Sequence, residues 1–303
     1  MKILITGGTG SLAEYVIKQL EGEHELVLFD RIKPGENRFG FEVKHPYVYG
    51  DLTNPEDCAR AVAGCKAVVH LGAIPWPCDH PVWSPRIASM GIKLPPFDET
   101  IRVNTMGTYH IMHAAVQAKV KVVVTAVSNC TLGHGFRLSG KPFPIHYLPL
   151  DEQHPSDVED SYSLSKVFQS EIMHAFSRAY GIRTYGISPA TIMRPEAQQA
   201  HAKNVKPAEE LSEWFFGYND IDDVARAFRM VLEAYRDLPP FDDYFVNADD
   251  TLALEESVDL LKRFRPDAVE KVRDLPGRSA FISTAKARKA FGWRPNHSWT
   301  RFR

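Results

Sequence analysis

Hydrophobic and polar positions along the first half of the chain switch repeatedly between two periods. Lys2-Ile3-Leu4-Ile5-Thr6 is a short apolar run, and helical spacing follows from Leu12 to Leu20. Glu25 to Asp30 predicts a second strand and Tyr47 to Asp51 a third. Pro55 to Ala63 predicts a helix with proline and acids in its first turn. Lys66 to Leu71 and Lys121 to Thr125 predict two more strands, with a helix over Asp98 to Ala118 between them. Strands that are apolar on both faces and alternate with helices predict a parallel sheet covered on both sides. The expected fold class is α/β, a Rossmann-type doubly wound parallel sheet.

Two segments break this rhythm. Pro75 to Pro96 carries six prolines and shows neither period. It follows a strand, at the sheet end where ligands sit, so it reads either as a lid presenting Trp76 and Trp83 or as a contact loop. Arg278 to Arg303 holds seven Lys/Arg and no acid. That is either a solvated basic face or an attraction for an anionic substrate group.

Composition narrows the function classes. With 36 Lys+Arg against 38 Asp+Glu the chain lacks the basic excess of a general nucleic-acid binder, so no nucleic-acid partner is expected. No apolar run reaches the roughly 18 residues of a membrane span, and no signal peptide is visible after Met1-Lys2. Cys58, Cys65, Cys78 and Cys130 form no CxxC pair and are too few for a disulfide framework. These features predict a reduced, cytoplasmic protein without a membrane partner. His110 and His113 lie three apart on a predicted helix, but no third ligand is suitably spaced, so no metal is expected.

The first chemical motif is Thr6-Gly7-Gly8-Thr9-Gly10-Ser11-Leu12-Ala13. It follows a strand and opens a helix, the context that a dinucleotide fingerprint requires. Gly7 permits the tight turn. Gly10 lets the backbone approach a pyrophosphate, whose charge meets the helix N–H groups; Ser11 and Leu12 begin that helix, and Ala13 is small enough for helix–strand packing. Asp30 ends the second strand twenty residues after Gly10. An acid there accepts from the adenosine ribose hydroxyls and repels a 2′-phosphate, which favours NAD over NADP, although Arg31 beside it pulls the other way. Asp51 and Leu52 would flank the adenine.

The second constellation is Tyr162-Ser163-Leu164-Ser165-Lys166, which places Tyr162 and Lys166 on one helix face. A nearby ammonium and a positive nicotinamide would favour the phenolate of a tyrosine whose ordinary pKa is about 10, allowing proton exchange with a substrate hydroxyl. Ser128, just after the fifth strand, can orient the same oxygen.

These residues together resemble the extended short-chain dehydrogenase/reductases of the NAD-dependent epimerase/dehydratase family. The resemblance also takes in His70-Leu71-Gly72-Ala73, Asn104 in Val103-Asn104-Thr105-Met106-Gly107-Thr108, Ile221-Asp222-Asp223-Val224-Ala225 and Phe291-Gly292-Trp293-Arg294-Pro295. It implies that Leu71, Gly72 and Ala73 line the cofactor and that Asn104 supports the active-site helix. Ser128, Tyr162 and Lys166 would be catalytic, with Lys166 also holding the nicotinamide ribose and lowering the Tyr162 pKa. The acids Asp222 and Asp223 would chiefly cap a helix. Also implied are an NAD-binding domain over 1–188, to which 218–248 returns, and a smaller substrate-binding region over 189–217 and 249–303. A homodimer is implied through the helices around 98–118 and 161–180.

The resemblance implies oxidoreduction at a secondary alcohol or lactol carbon of a sugar or sugar acid. Ser128-Asn129-Cys130-Thr131-Leu132-Gly133-His134 is similar to the corresponding stretch of uronate dehydrogenases, which would bring Asn129 and His134 to the substrate, with Pro75 nearby. The chain departs from that group in having no arginine after the sixth predicted strand before Arg194, the remaining candidate for an anionic substrate group. A sugar or uronate dehydrogenase is the favoured expectation. A nucleotide-sugar (UDP-hexose) 4-epimerase and a non-catalytic NAD(P)-binding regulator are the alternatives, and the complete Ser128/Tyr162/Lys166 set argues against the last.

Overall fold

The computed structural model describes all residues 1–303. The first half builds β1 (Lys2–Thr6), α1 (Ser11–Leu20), β2 (Glu25–Asp30), β3 (Tyr47–Tyr49), α2 (Pro55–Val62) and β4 (Ala67–His70). Then come α3 (Trp83–Ser89), α4 (Glu99–Ile101), α5 (Gly107–Gln117), β5 (Val122–Ala126) and α6 (Ser161–Tyr180). The remainder holds β6 (Arg183–Pro189), β7 (Thr191–Met193), α7 (Pro195–Asn204), β8 (Tyr218–Asp220) and α8 (Ile221–Ala234). β9 (Phe241–Val246), α9 (Ser257–Phe264) and α10 (Ala285–Phe291) complete it.

Seven strands form one sheet in the order β3-β2-β1-β4-β5-β6-β9, every pair parallel. The strand order reverses between β1 and β4, which opens a crevice at their carboxyl ends. β1 and β4 are buried along nearly their whole length because helices cover both faces. α1 and α8 pack on one face, and α2, α5 and α6 on the other, each closing its own apolar core.

A third core joins the loop residues Leu132, Phe143 and Leu150 to Phe215, Leu260 and Phe281. The last segment does not form a separate layer. Ala287 and Trp293 pack into the main core, while Trp299 closes a small cluster against Tyr218 and Ala248.

Two expectations change. The Pro75 to Pro96 segment contains the short helix α3, which the prolines concealed. The predicted helix over Asp98 to Ala118 is interrupted by a π turn at Arg102–Met106, and Asn104 lies within it. No helix is long and apolar enough to cross a membrane.

Candidate active site

The β1–α1 turn has the shape its glycines require. Gly7 sits at φ +65°, and a Cβ there would lie 2.8 Å from the Gly72 backbone. Gly10 caps α1 without any side-chain hydrogen bond, which leaves the first-turn N–H groups available to an anion. A cleft of about 500 Å³ opens above the turn. Gly7, Gly10, Ser11 and Leu12 form its floor. Asp30, Arg31, Asp51 and Leu52 lie along it, with Leu71, Gly72, Ala73 and Pro75 from the β4 end. This donor set and volume fit a dinucleotide. The cleft also takes in Asn37, Arg38 and Phe39, which have no periodic signal and are marked only by following β2.

The Asp30 carboxylate accepts from Thr9 N at 3.1 Å and Thr9 Oγ1 at 2.7 Å, which holds it on the glycine turn. Arg31, also on the cleft wall, has its guanidinium 3.1 Å from Glu99, a buried carboxylate that also binds Arg102.

Asn104 ties the β4 end to α6. Its Oδ1 accepts from Ile74 N at 2.8 Å, and its Nδ2 donates to Ile74 O and to Ser165 Oγ, each at 3.0 Å. Ser128, Tyr162 and Lys166 converge where β5 ends. The Ser128 Oγ accepts from Cys130 N at 3.1 Å. Lys166 Nζ lies 5.7 Å from the centre of the Tyr162 ring and donates to Ala126 O at 2.8 Å.

Both titratable groups are perturbed by burial. The Lys166 pKa falls to about 7 because its ammonium is desolvated. The Tyr162 phenol rises, chiefly through burial and secondarily through Cys130, while hydrogen bonding from Ser128 opposes the rise. This differs from the expectation that Lys166 lowers it: desolvation outweighs a partner whose own charge is disfavoured.

The Lys166 shift has a stability consequence. Between pH 7 and 10.5 the unfolded chain holds a proton on Lys166 that the folded chain releases, so this group makes stability rise with pH across that window. Lys166→Met removes this titration but also leaves Gln169 Oε1 and Ala126 O without their donor, so the expected signature is the pH dependence. The parent should gain stability relative to the variant by about 1–3 kcal/mol from pH 7 to pH 10, which urea titration at several pH values checks.

An aromatic cap covers Tyr162. Phe136 packs edge-on to it at 5.7 Å, and Trp83 and Trp214 pack on Phe136 at 5.2 and 4.8 Å. Trp83 comes from α3, so the proline-rich segment does lie over the site, and Ser161 Oγ fastens it there by donating to Asp79. Gly135 leaves room for the Trp214 ring, which any Cβ would strike. Phe136, Phe215 and Phe216 hold left-handed φ values of +55°, +51° and +52°, conformations that cost energy for bulky residues.

The remaining candidates each have a definite setting. Asn129 is buried beside Ser128. His134 stacks on Phe215 at 5.7 Å and 14° within the aromatic core. Burial lowers its pKa to about 3, and neither ring nitrogen has a partner. Arg194 sits at the glycine turn, 2.7 Å from the Glu14 carboxylate and 3.1 Å from Ser11 Oγ. In the basic tail, Lys286, Arg288 and Arg301 are paired with Asp242, Asp249 and Asp220, and Arg278 with Asp250. These pairings tie the tail to the body.

Asp220, not Asp222 or Asp223, caps α8, accepting from Asp222 N. Asp220 and Asp223 converge with His297, but their oxygens already accept from Gln198, Arg301, Arg226 and the Asn296 and His297 backbone. His110 Nδ1 donates to Leu52 O at 3.0 Å, and with His113 it borders a groove between α2 and α5.

Comparison with known proteins decides the family. Residues 93–246 match the NAD dependent epimerase/dehydratase family, and residues 7–157 match an NAD(P)H-binding family. The chain belongs to the NAD-dependent epimerase/dehydratase family. NAD is accordingly its cofactor. A putative UDP-glucose 4-epimerase of Methanocaldococcus jannaschii is 24% identical over 97% of this chain and 93% of its own. A uronate dehydrogenase of Pseudomonas putida is 24% identical over 61% of this chain and 59% of its own. Among solved structures, a short-chain dehydrogenase/reductase superfamily protein from Agrobacterium tumefaciens with bound NAD superposes with a TM-score of 0.69. It is 18% identical and covers 100% of this chain and 94% of its own. The chain is thus an extended short-chain dehydrogenase/reductase, and its doubly wound sheet is the fold of that structural neighbour.

Proposed function

We propose that the protein is an NAD-dependent dehydrogenase acting on a secondary alcohol or lactol carbon of a sugar or sugar acid. The observation that carries this reading is the convergence of Ser128, Tyr162 and Lys166 beside the dinucleotide cleft. Bound NAD supplies a two-electron acceptor for the carbinol hydrogen. In the reductive direction the Tyr162 phenol donates its proton to the carbonyl oxygen; in oxidation its phenolate, which the positive charge of a bound nicotinamide would favour over the phenol of the free chain, takes the hydroxyl proton. Ser128 Oγ holds the same oxygen in line. Lys166, whose Nζ is 5.7 Å from the centre of the Tyr162 ring, is proposed to stand between that phenol and the nicotinamide ribose. Asn104 holds residue 74 against α6, so that cleft and site keep one geometry.

Within this class the aromatic cap favours an uncharged ring that can lay a C–H face on Trp83, Phe136 or Trp214. Arg194 and the paired tail cations are committed to carboxylates, which supports neutral sugars over uronates within this reading. The test is NADH absorbance after mixing protein and NAD⁺ with neutral aldoses, uronates and UDP-sugars. NADH from a free sugar supports the reading. A UDP-sugar converted to its epimer without net NADH supports a second one, nucleotide-sugar 4-epimerase, which the relative aligned along nearly the whole chain favours.

Asp30 is proposed to set NAD over NADP, with Arg31 neutralised by Glu99. Asp30→Ala should shrink the NAD/NADP preference about 10-fold or more, as loss of a charge-assisted hydrogen bond would, read as the ratio of the two dissociation constants. A homodimer is proposed through α5 and α6, where Tyr109, Phe168 and Tyr180 are exposed.

A further inference from the structure

Lys166 has a second acceptor that belongs to the protein interior. Its Nζ donates to Gln169 Oε1 at 3.0 Å, and Gln169 Nε2 donates to Thr108 Oγ1 at 2.8 Å. The Thr108 hydroxyl lies 2.6 Å from Asn104 O and 3.1 Å from His70 Nε2. His70 Nδ1 is 2.7 Å from Thr6 Oγ1, which accepts from Gly72 N at 3.1 Å. Thr6, His70, Thr108, Gln169 and Lys166 are each no more than 2% exposed. The chain therefore runs without a break from the lysine to the residues flanking the glycine turn.

Counting protons sets its direction. Thr108 has one hydroxyl proton, given to the Asn104 carbonyl, which has none to return. Its lone pairs then accept from Gln169 Nε2–H and from His70 Nε2–H. His70 is therefore the Nε2–H tautomer, and its bare Nδ1 accepts the Thr6 hydroxyl proton. Burial, aided by Lys166, lowers the His70 pKa to about 3, so the ring stays neutral. A flipped Gln169 amide would aim its NH₂ at Lys166 and its oxygen at Thr108, whose only proton is committed. The amide oxygen can face only the lysine.

We propose that Gln169 is a positioning residue for Lys166. Its oriented amide holds the ε-amino group against Ala126 O and sets its proton affinity, and Thr108 and His70 fix the amide. The proposal rests on the functional reading of Lys166 given above. The titratable groups facing Lys166 are Tyr162, Cys130 and His70. Burial pushes the Cys130 thiol up to about 12 and raises Tyr162, so none of the three brings a negative charge to the lysine at neutral pH. A carboxylate at position 169 would be a new charge there.

The experiment is an NMR pH titration of protein labelled with ¹³C at the lysine ε-carbon, with the Lys166 resonance assigned by its loss in Lys166→Met. Gln169→Glu is expected to raise the Lys166 midpoint by about one pH unit or more, because an adjacent carboxylate favours the ammonium. Gln169→Leu is expected to lower it, because the charged form loses an acceptor. Thr108→Val, nearly isosteric and not in contact with the lysine, should shift the midpoint in the same direction as Gln169→Leu by freeing the amide; it serves where the Leu variant does not fold. An unchanged midpoint in Gln169→Glu, or in both Gln169→Leu and Thr108→Val, would overturn the proposal. Parental NADH affinity and turnover in Lys166→Met would instead overturn the reading of Lys166 itself, which the midpoint shifts do not address.

Discussion

Tyr162→Phe should abolish turnover while NAD still binds. The substitution removes one oxygen from a side chain that is buried against Phe136 and Cys130, so ring volume and packing are kept. The phenolic proton is what the proposed reaction needs, and positioned acid–base groups contribute about 10²–10⁴-fold to rate. A fall in kcat of at least about 100-fold is expected, with the NADH dissociation constant within a few-fold of the parent. The two are measured by steady-state NADH absorbance and by quenching of intrinsic fluorescence. Normal turnover by Tyr162→Phe would remove Tyr162 from the mechanism. Loss of NADH affinity together with turnover would mean that the phenol holds the cofactor.

The second large effect is on stability and lies away from the cleft. Asp223 is 1% exposed and joins α8 to the tail. Its carboxylate is 2.9 Å from the Arg226 guanidinium and accepts from Asn296 N at 2.9 Å and His297 N at 3.0 Å. Asp223→Ala strips two backbone N–H groups of the partly exposed tail of their acceptor and leaves the mostly buried Arg226 guanidinium without its carboxylate. Breaking a buried ion pair in this way costs about 3–5 kcal/mol, a large share of the stability of a typical domain. The variant should unfold at markedly lower urea concentration and release the tail to proteolysis near Arg294. Asp222→Ala, by contrast, should change little, because its carboxylate meets only Gln19. Equal loss from the two variants would mean that the tail is held by something other than Asp223.

Much of the frame could be read along the chain because it is set by local repeats. Strand β1 and its glycine turn announce themselves within a dozen residues, since a βα unit needs an apolar run, a residue free to take positive φ and a helix start in that order. The same is true of Asp30, placed by the length of one helix and one strand. What could not be read depends on partners distant in sequence. Arg194 looked available to a substrate because nothing local satisfies it, yet its carboxylate, Glu14, lies on α1. The basic tail was ambiguous for the same reason: its acids, Asp220, Asp242, Asp249 and Asp250, precede it by tens of residues. His134 follows Ser128 closely along the chain, but its neighbours Phe143, Trp214 and Phe215 make it part of an aromatic core.

By itself, then, the sequence determined the doubly wound sheet, the dinucleotide turn and the Tyr162–Lys166 helix face, all of which follow from spacing along a single element. Only the tertiary structure decided what surrounds them. The cap on Tyr162 is assembled from positions 83, 136 and 214, and the hydrogen-bonded path behind Lys166 from positions 6, 70, 108 and 169. Periodicity reports which face of an element is buried. It carries no information about which other buried face, contributed a hundred residues away, completes the polar contacts of that interior.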